Sequence, residues 1–357
     1  MENPDTDPGR EGGMSACRRR PVRPSSGTPT SFPGPWTSTV TESTRRPRIA
    51  ITLGDPRGIG PEVTAGALAD PEIARAADFV LVGPAALLRP GTDDVAAGDW
   101  RVEDGAAAAG RIAGAAIRIA VEMALAGDVD GIVTAPIEKN AFRAGGWHYP
   151  GHTEMLGALT GAEDVVMMMA AERTALGGPL RVVLATTHLA LRDVPAALSA
   201  DLLVRQARRT AEGLRRLWGI ASPRIALCAV NPHASDGGLF GDEEARVVEP
   251  ALQALAEAGV DARGPIPADT VFTRAVRGEF DAVVAPYHDV GMAAFKTAAF
   301  GAGVNVTLGL PFPRTSPDHG TALDIAGTGV ADPSSMKEAI LLAARLSRRF
   351  DRSGRGD

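Results

Sequence analysis

The chain predicts an α/β protein built on a largely parallel sheet, and three observations carry that prediction. Short apolar runs alternate with longer Ala-rich or amphipathic segments along most of its length. The runs are apolar throughout rather than at every second residue, as in strands covered on both faces, and they stop abruptly at polar and turn residues. Of 357 residues, 45% are hydrophobic and 22% charged, enough for a sizeable core, while an aromatic content of 4% makes that core one of Ala, Val and Leu.

Residues 1–47 are rich in Pro, Ser, Thr, Gly and Arg and are expected to form a disordered arm, with 48–350 as the folded body and 351–357 as a flexible tail. The body opens with a strand, Arg48–Leu53. A glycine-rich turn, Gly54-Asp55-Pro56-Arg57-Gly58-Ile59-Gly60, then leads into a helix with Pro61 in its first turn. That turn is neither a dinucleotide fingerprint nor a phosphate-binding P-loop, because no Gly-Lys-Ser/Thr follows. Phe79–Gly83 reads as a strand, Ala106–Ala126 as a helix, and Gly131–Thr134 as a strand. A loop through Trp147 and His148 starts a helix near His152-Thr153-Glu154. Val165–Ala170 and Leu180–Thr186 are strands, Leu203–Trp218 a helix, Ile225–Val230 a strand and Glu243–Ala258 a helix. Pro265–Thr270 reads as a turn, Asp281–Pro286 and Val304–Leu308 as strands, and Ser335–Phe350 as the closing helix. Pro311, Pro313 and Pro317 predict an irregular segment between those last strands and the helix.

Composition excludes several classes. A formal net charge of -6 gives no basic footprint for nucleic acid. Two cysteines, Cys17 and Cys228, cannot build a disulfide framework or a cysteine-based zinc site, which fits a reducing cytoplasm. No apolar run reaches the ~18 residues that span a bilayer.

Chemistry concentrates at the strand ends. His188, His233 and His288 each follow the carboxyl end of an apolar run, and three imidazoles suffice for a divalent ion with positions open to substrate. Each could equally be a hydrogen-bonded structural histidine. Lys296, Asn305 and Arg314 add an ammonium, a carboxamide and a guanidinium nearby, a set suited to an anionic substrate; singly, they also suit a solvated helix, a satisfied strand and a surface ion pair. His152 and Thr153 sit at a helix start, with Thr153 either as its cap or as part of a clamp using the exposed N–H groups. His148 and His319 are weaker candidates, His319 being read as a structural hydrogen-bonding residue beside Asp318.

The blocks Gly54-Asp55-Pro56 to Glu62, Gly151-His152-Thr153-Glu154, Thr187-His188, Asn231-Pro232-His233-Ala234, Pro267-Ala268-Asp269-Thr270, Tyr287-His288-Asp289, Gly303–Pro311, Arg314-Thr315-Ser316 and Asp318–Ala322 together resemble the 4-hydroxythreonine-4-phosphate dehydrogenase family of pyridoxine biosynthesis. The resemblance implies a fold similar to isocitrate and isopropylmalate dehydrogenases, with two α/β subdomains around a cleft. It implies a homodimer whose shared sites draw metal-binding histidines from both subunits. By motif, His188, His233 and His288 match the metal ligands; His152, Thr153, Lys296, Asn305 and Arg314 match the substrate contacts, with Lys296 also a candidate for proton transfer. NAD or NADP and one divalent ion (Zn, Mg or Co) are the implied cofactors, and the motifs assign no residue to the nicotinamide. The implied reaction oxidises and decarboxylates 4-phosphooxy-L-threonine. The nearest rivals are dehydrogenases of a phosphorylated four-carbon sugar acid such as 4-phosphoerythronate or 4-phosphothreonate, or of cyclic dihydrodiols. A metal-dependent phosphohydrolase or acyltransferase is a rival of another class.

Overall fold

The computed structural model describes residues 45–350. The tail expected over 351–357 and the arm up to residue 44 lie outside the described residues. Arg45–Pro47, counted above with the arm, are tied to the body: Arg45 Nη2 lies 2.6 Å from an Asp130 carboxylate oxygen, and Arg46 donates to the Ala74 and Ala77 carbonyls.

The strands are β1 (Arg48–Thr52), β2 (Asp78–Pro84), β3 (Val95–Gly98), β4 (Gly131–Thr134), β5 (Val166–Ala171), β6 (Leu180–Leu184), β7 (Ile225–Cys228), β8 (Ala262–Ile266), β9 (Ala282–Ala285), β10 (Val304–Leu308) and β11 (Arg314–Pro317). They form one sheet in the order β3-β2-β1-β4-β11-β10-β5-β6-β9-β7-β8. Five strands, β3 to β11 in that order, run parallel; so do four, β6 to β8. The antiparallel pairings lie between the two blocks, where β10 joins β11 and β5, and β5 joins β6. The expected largely parallel α/β architecture is what forms.

Side chains alternate across the sheet, and the apolar clusters follow that alternation. On one face a single cluster runs the width of the sheet, from Ile49 and Ile51 through Val133, Val306, Met168 and Val183 to Leu227. It lies beneath residues such as Ala207 and Ile340 of helices Ala200–Gly213 and Ser334–Arg349. The opposite face is divided. Ala50, Val80 and Ile132 pack under helix Gly105–Ala126 and against Met155 and Leu156 of helix His152–Thr160. Val182, Leu184, Val283 and Ala285 pack under helices Ala268–Val276 and His288–Ala299. Between these two clusters, on the same face, alternation places Asn305 and Thr307 of β10 and Arg314 and Ser316 of β11.

Two sequence expectations are corrected. The segment read as irregular around Pro313 contains β11, paired on both sides. Proline lacks a donor but keeps its carbonyl, and the Pro313 carbonyl accepts from Ile132 N at 3.0 Å while Pro317 only ends the strand. Pro265, read as part of a turn, lies in β8 at the sheet edge, where a missing donor is tolerated, and helix Ala268–Val276 follows. β3, at the other edge, gave no apolar run because its residues are at best half-buried.

The helices also pack through bare backbone. Gly110 of Gly105–Ala126 abuts the short helix Lys139–Ala144, and a Cβ there would lie 1.8 Å from the Ala141 carbonyl oxygen. Gly110→Ala should therefore destabilise the protein by about 1–3 kcal/mol, overriding the ~1 kcal/mol that alanine gains by helix propensity. Urea midpoints of the two proteins check this; an unchanged or raised midpoint contradicts the contact.

Candidate active site

Arg314 is the centre of the polar gap in the divided face. Its side chain is 1% exposed, yet among the described residues no carboxylate pairs with it. Nη1 donates to Thr307 Oγ1 at 2.9 Å and Nη2 to Thr134 Oγ1 at 2.6 Å, while Nε is buried without a partner. The register explains the grip. Val306 pairs with Thr315, which puts Thr307 opposite Arg314, and Arg314 pairs with Ile132, which puts Thr134 two residues along on the same face. Burial pushes the guanidinium down to about 9, opposed by the Glu154 carboxylate, so it stays charged at neutral pH.

His152 shares this surrounding. Burial holds its imidazole well below the ordinary histidine range, and the positive charge of Arg314 adds to the effect, so the ring is neutral. Its Nε2 is buried without a partner, as are Asn305 Oδ1 and Thr52 Oγ1. Buried polar atoms are nearly always satisfied in a folded protein. Of nine such orphaned side-chain atoms among the described residues, four belong to residues in or beside this polar gap. Helix His152–Thr160 is preceded by Gly151 with no side-chain cap, so the Thr153 hydroxyl is not used as its cap.

The second cluster supplies the other flank. Lys296 of helix His288–Ala299 lies 2.7 Å from Asp318 Oδ2 and donates to the Asp318 carbonyl at 3.2 Å, which binds that helix to the chain just past β11. Lys296 is 41% exposed, so the pair orients the ammonium more than it stabilises the fold. His319 Nδ1 donates to the Gly320 carbonyl at 3.0 Å, and its Nε2 is buried without a partner. The glycine-rich turn after β1 is structural: a Cβ on Gly54, whose φ is +70°, would lie 2.3 Å from the Pro136 oxygen, and Ile59 N donates to Thr321 O at 2.9 Å. Asp55, fully buried, holds Arg57 through both carboxylate oxygens.

The three histidines divide. β6, β9 and β7 are adjacent and parallel, so His188, His288 and His233 do leave one edge. The His188 and His288 rings lie 5.6 Å apart and line a cavity of about 210 Å³ with Thr187, Leu189, Leu191, Val194, Tyr287 and Asp289. His288 Nδ1 is 2.7 Å from Asp289 Oδ1, leaving Nε2 free. Partial burial, then Lys139 and His288, lower the His188 imidazole from its ordinary value, against a smaller pull from Glu154. His233 is not a lining residue of that cavity. Four consecutive non-glycine residues, His233 to Asp236, have positive φ, and this turn leaves the His233 side chain 67% exposed, 6.4 Å from the Phe240 ring. Such a run stores strain, which persists where a loop is needed in one shape. Among the described residues, no three His, Cys, Asp or Glu side chains group as a metal site. Thr134, Thr307, Glu154 and Lys139 were not singled out by the sequence, and Thr134 and Thr307 become visible only once the strands are in register.

A family model described as "Pyridoxal phosphate biosynthetic protein PdxA" matches residues 72–343. The chain belongs to the PdxA family. Among PdxA relatives, the 4-hydroxythreonine-4-phosphate dehydrogenase of Geobacter metallireducens is 45% identical over 334 residues, covering 85% of this chain and 96% of that protein. That of Burkholderia vietnamiensis is 46% identical over 324 residues, covering 84% and 97%. The crystal structure of 4-hydroxythreonine-4-phosphate dehydrogenase from Klebsiella pneumoniae aligns with a TM-score of 0.74 at 39% identity, over 84% of this chain and 99% of that one. The PdxA fold is thus shared across nearly the whole length of those proteins. No helix among the described residues is long and apolar enough to cross a membrane.

A buried guanidinium without a counter-ion is a stability defect, since desolvating an ion costs several kcal/mol that only good pairing repays. Arg314→Met should melt at or above the wild-type temperature. Inorganic phosphate should raise the wild-type melting temperature by mass action and leave that of Arg314→Met unmoved. Thermal melts with and without phosphate check both; a less stable variant that retains the full phosphate shift contradicts the assignment.

Proposed function

We propose that this chain is a 4-hydroxythreonine-4-phosphate dehydrogenase: it oxidises 4-phosphooxy-L-threonine with NAD or NADP and releases its carboxylate as CO2, yielding 3-amino-2-oxopropyl phosphate. The observation that carries this reading is the Arg314 guanidinium, buried without a carboxylate and with Nε unpaired, in a chain of the PdxA family. A bidentate anion would supply what that group lacks.

Arg314 and His152 then grip one anionic group of the substrate, the guanidinium by charge and the neutral imidazole by Nε2–H. Thr153 and Asn305 fix orientation through neutral hydrogen bonds. Lys296 has its ammonium positioned by Asp318 to offset charge on the substrate and to exchange a proton with it. In the first step the carbinol carbon gives a hydride to the nicotinamide while the hydroxyl loses its proton, leaving a ketone. In the second the carbon–carboxylate bond breaks, CO2 leaves, and the electron pair left behind takes up a proton, for which Lys296 is the candidate donor. Excess positive charge around the site favours both proton loss in the first step and the enolate of the second.

A divalent ion fits in part. His188 and His288 present two imidazoles to one cavity, Asp289 orienting the second; the lowered His188 value favours the neutral, ligating form. Bound there, such an ion would lower the pKa of the substrate hydroxyl and polarise the carbonyl. The third imidazole is His233 from a second copy of the chain, its exposed turn reaching into the neighbouring site. The protein on this reading is a homodimer, with residues 48–350 as its catalytic body.

NAD(P)H formation with 4-phosphooxy-L-threonine against 4-phosphoerythronate tests the proposal. We expect turnover of the first, loss of at least about 100-fold in kcat/KM for Arg314→Ala, equivalent to ~2.7 kcal/mol of transition-state stabilisation, and abolition by chelator or by His233→Ala. Phosphate release without nicotinamide reduction would instead support a phosphohydrolase.

A further inference from the structure

We propose that Thr134 and Thr307 are positioning residues for the anion seat, holding Arg314 by hydroxyl oxygens so that the guanidinium is fixed while its charge is left for the ligand. The inference rests on the reading of Arg314 as that seat and adds the residues that make it work. Three other arginines of the body are held by carboxylates. Arg57 is gripped by both oxygens of Asp55, Arg89 by those of Asp94, and Arg224 by those of Asp281. In each of those, a carboxylate both orients and neutralises. Arg314, more buried than any of the three, has a threonine on each Nη, and its Nε, which the carboxylate engages in the other three, is without a partner.

A hydroxyl accepts a hydrogen bond from a guanidinium without cancelling its charge. Thr134 is 0% exposed and Thr307 1%, so water cannot substitute for either. They come from different strands on opposite sides of β11, β4 and β10, and engage different nitrogens, Nη2 at 2.6 Å and Nη1 at 2.9 Å. Two fixed points set the plane of the guanidinium and aim its remaining Nε–H. That N–H and the Nε2 of His152 are buried orphans, and the charge of Arg314 is felt at His152. A threonine on each side of the arginine thus makes a preorganised, still-cationic seat, where an aspartate on either side would make a closed ion pair.

The test uses the full-length protein with Thr134→Val and Thr307→Val, which keep shape and remove the acceptor, and with Thr134→Ser and Thr307→Ser, which keep it. Dissociation constants for inorganic phosphate, kcat and KM for 4-phosphooxy-L-threonine, and melting temperature are measured for each. A hydrogen bond to a charged group implies that each valine variant weakens phosphate binding and raises KM by about 10-fold or more. Turnover should change less than KM, and serine should restore most of the loss. In an Arg314→Met background the valine substitutions should have no further effect on phosphate binding, since nothing remains to be aimed. Folded valine variants that bind phosphate as wild type does, with or without a change in melting temperature, would overturn the proposal. If one valine variant does not fold, the other strand's threonine carries the test alone. Wild-type phosphate affinity in Arg314→Met itself is a different outcome, which removes the anion seat and the reading beneath it.

Discussion

One unneutralised charge organises this structure. A guanidinium taken out of water costs several kcal/mol unless a counter-ion or a full set of hydrogen bonds offsets it. Arg314 has two of those bonds and, among the described residues, no carboxylate partner. The two threonine contacts recover about 3–6 kcal/mol at the upper range for hydrogen bonds to charged groups. The unpaired Nε and the missing anion are left over. A fold tolerates such a deficit when the rest of its core is large, and here one apolar cluster, drawn from eight of the strands, β1, β2, β4, β5, β6, β7, β9 and β10, lies on the face away from the arginine. The surplus of that continuous face is what allows the opposite face to be interrupted.

The interruption is placed by topology. The two parallel blocks run in opposite directions, and the reversal is made by β10 and β5 in the middle of the sheet. Helices cover the blocks on either side, and the polar residues lie between them on β10 and on the adjoining strand of the first block, β11. Helix His152–Thr160 belongs to the apolar cluster on one side and helix His288–Ala299 to the other. Each presents polar groups at the gap, His152 at the start of the first and Lys296 late in the second. His152 and Lys296 thus come from helices packed in different clusters of the divided face, over one continuous apolar cluster behind the sheet.

Much of this was legible in the sequence, for a physical reason. Strands buried on both faces are mostly apolar, so β1, β4 and β9 announced themselves as short Val-, Ile- and Ala-rich runs, and β10 as a β-branched run interrupted by Asn305 and Thr307. The candidate residues stood out where those runs stopped. β11 was hidden because its flanking prolines argue against pairing, although only their donors are lost and the Pro313 carbonyl still accepts. Thr134 and Thr307 read as ordinary strand residues, since a threonine's role depends on what lies across the sheet, and register over 180 positions is not written locally. The three histidines were readable as strand-end residues. The left-handed turn from His233 to Asp236, which separates that histidine from the other two, was not, because those residues carry no glycine to signal positive φ.

The most direct measurement is a crystal structure of the protein soaked with phosphate or with 4-phosphooxy-L-threonine. The expected result is an anion within hydrogen-bond distance of both Arg314 Nε and His152 Nε2, with the two threonine contacts retained. An anion bound elsewhere, with Arg314 Nε still unpaired or turned to a carboxylate, would contradict it.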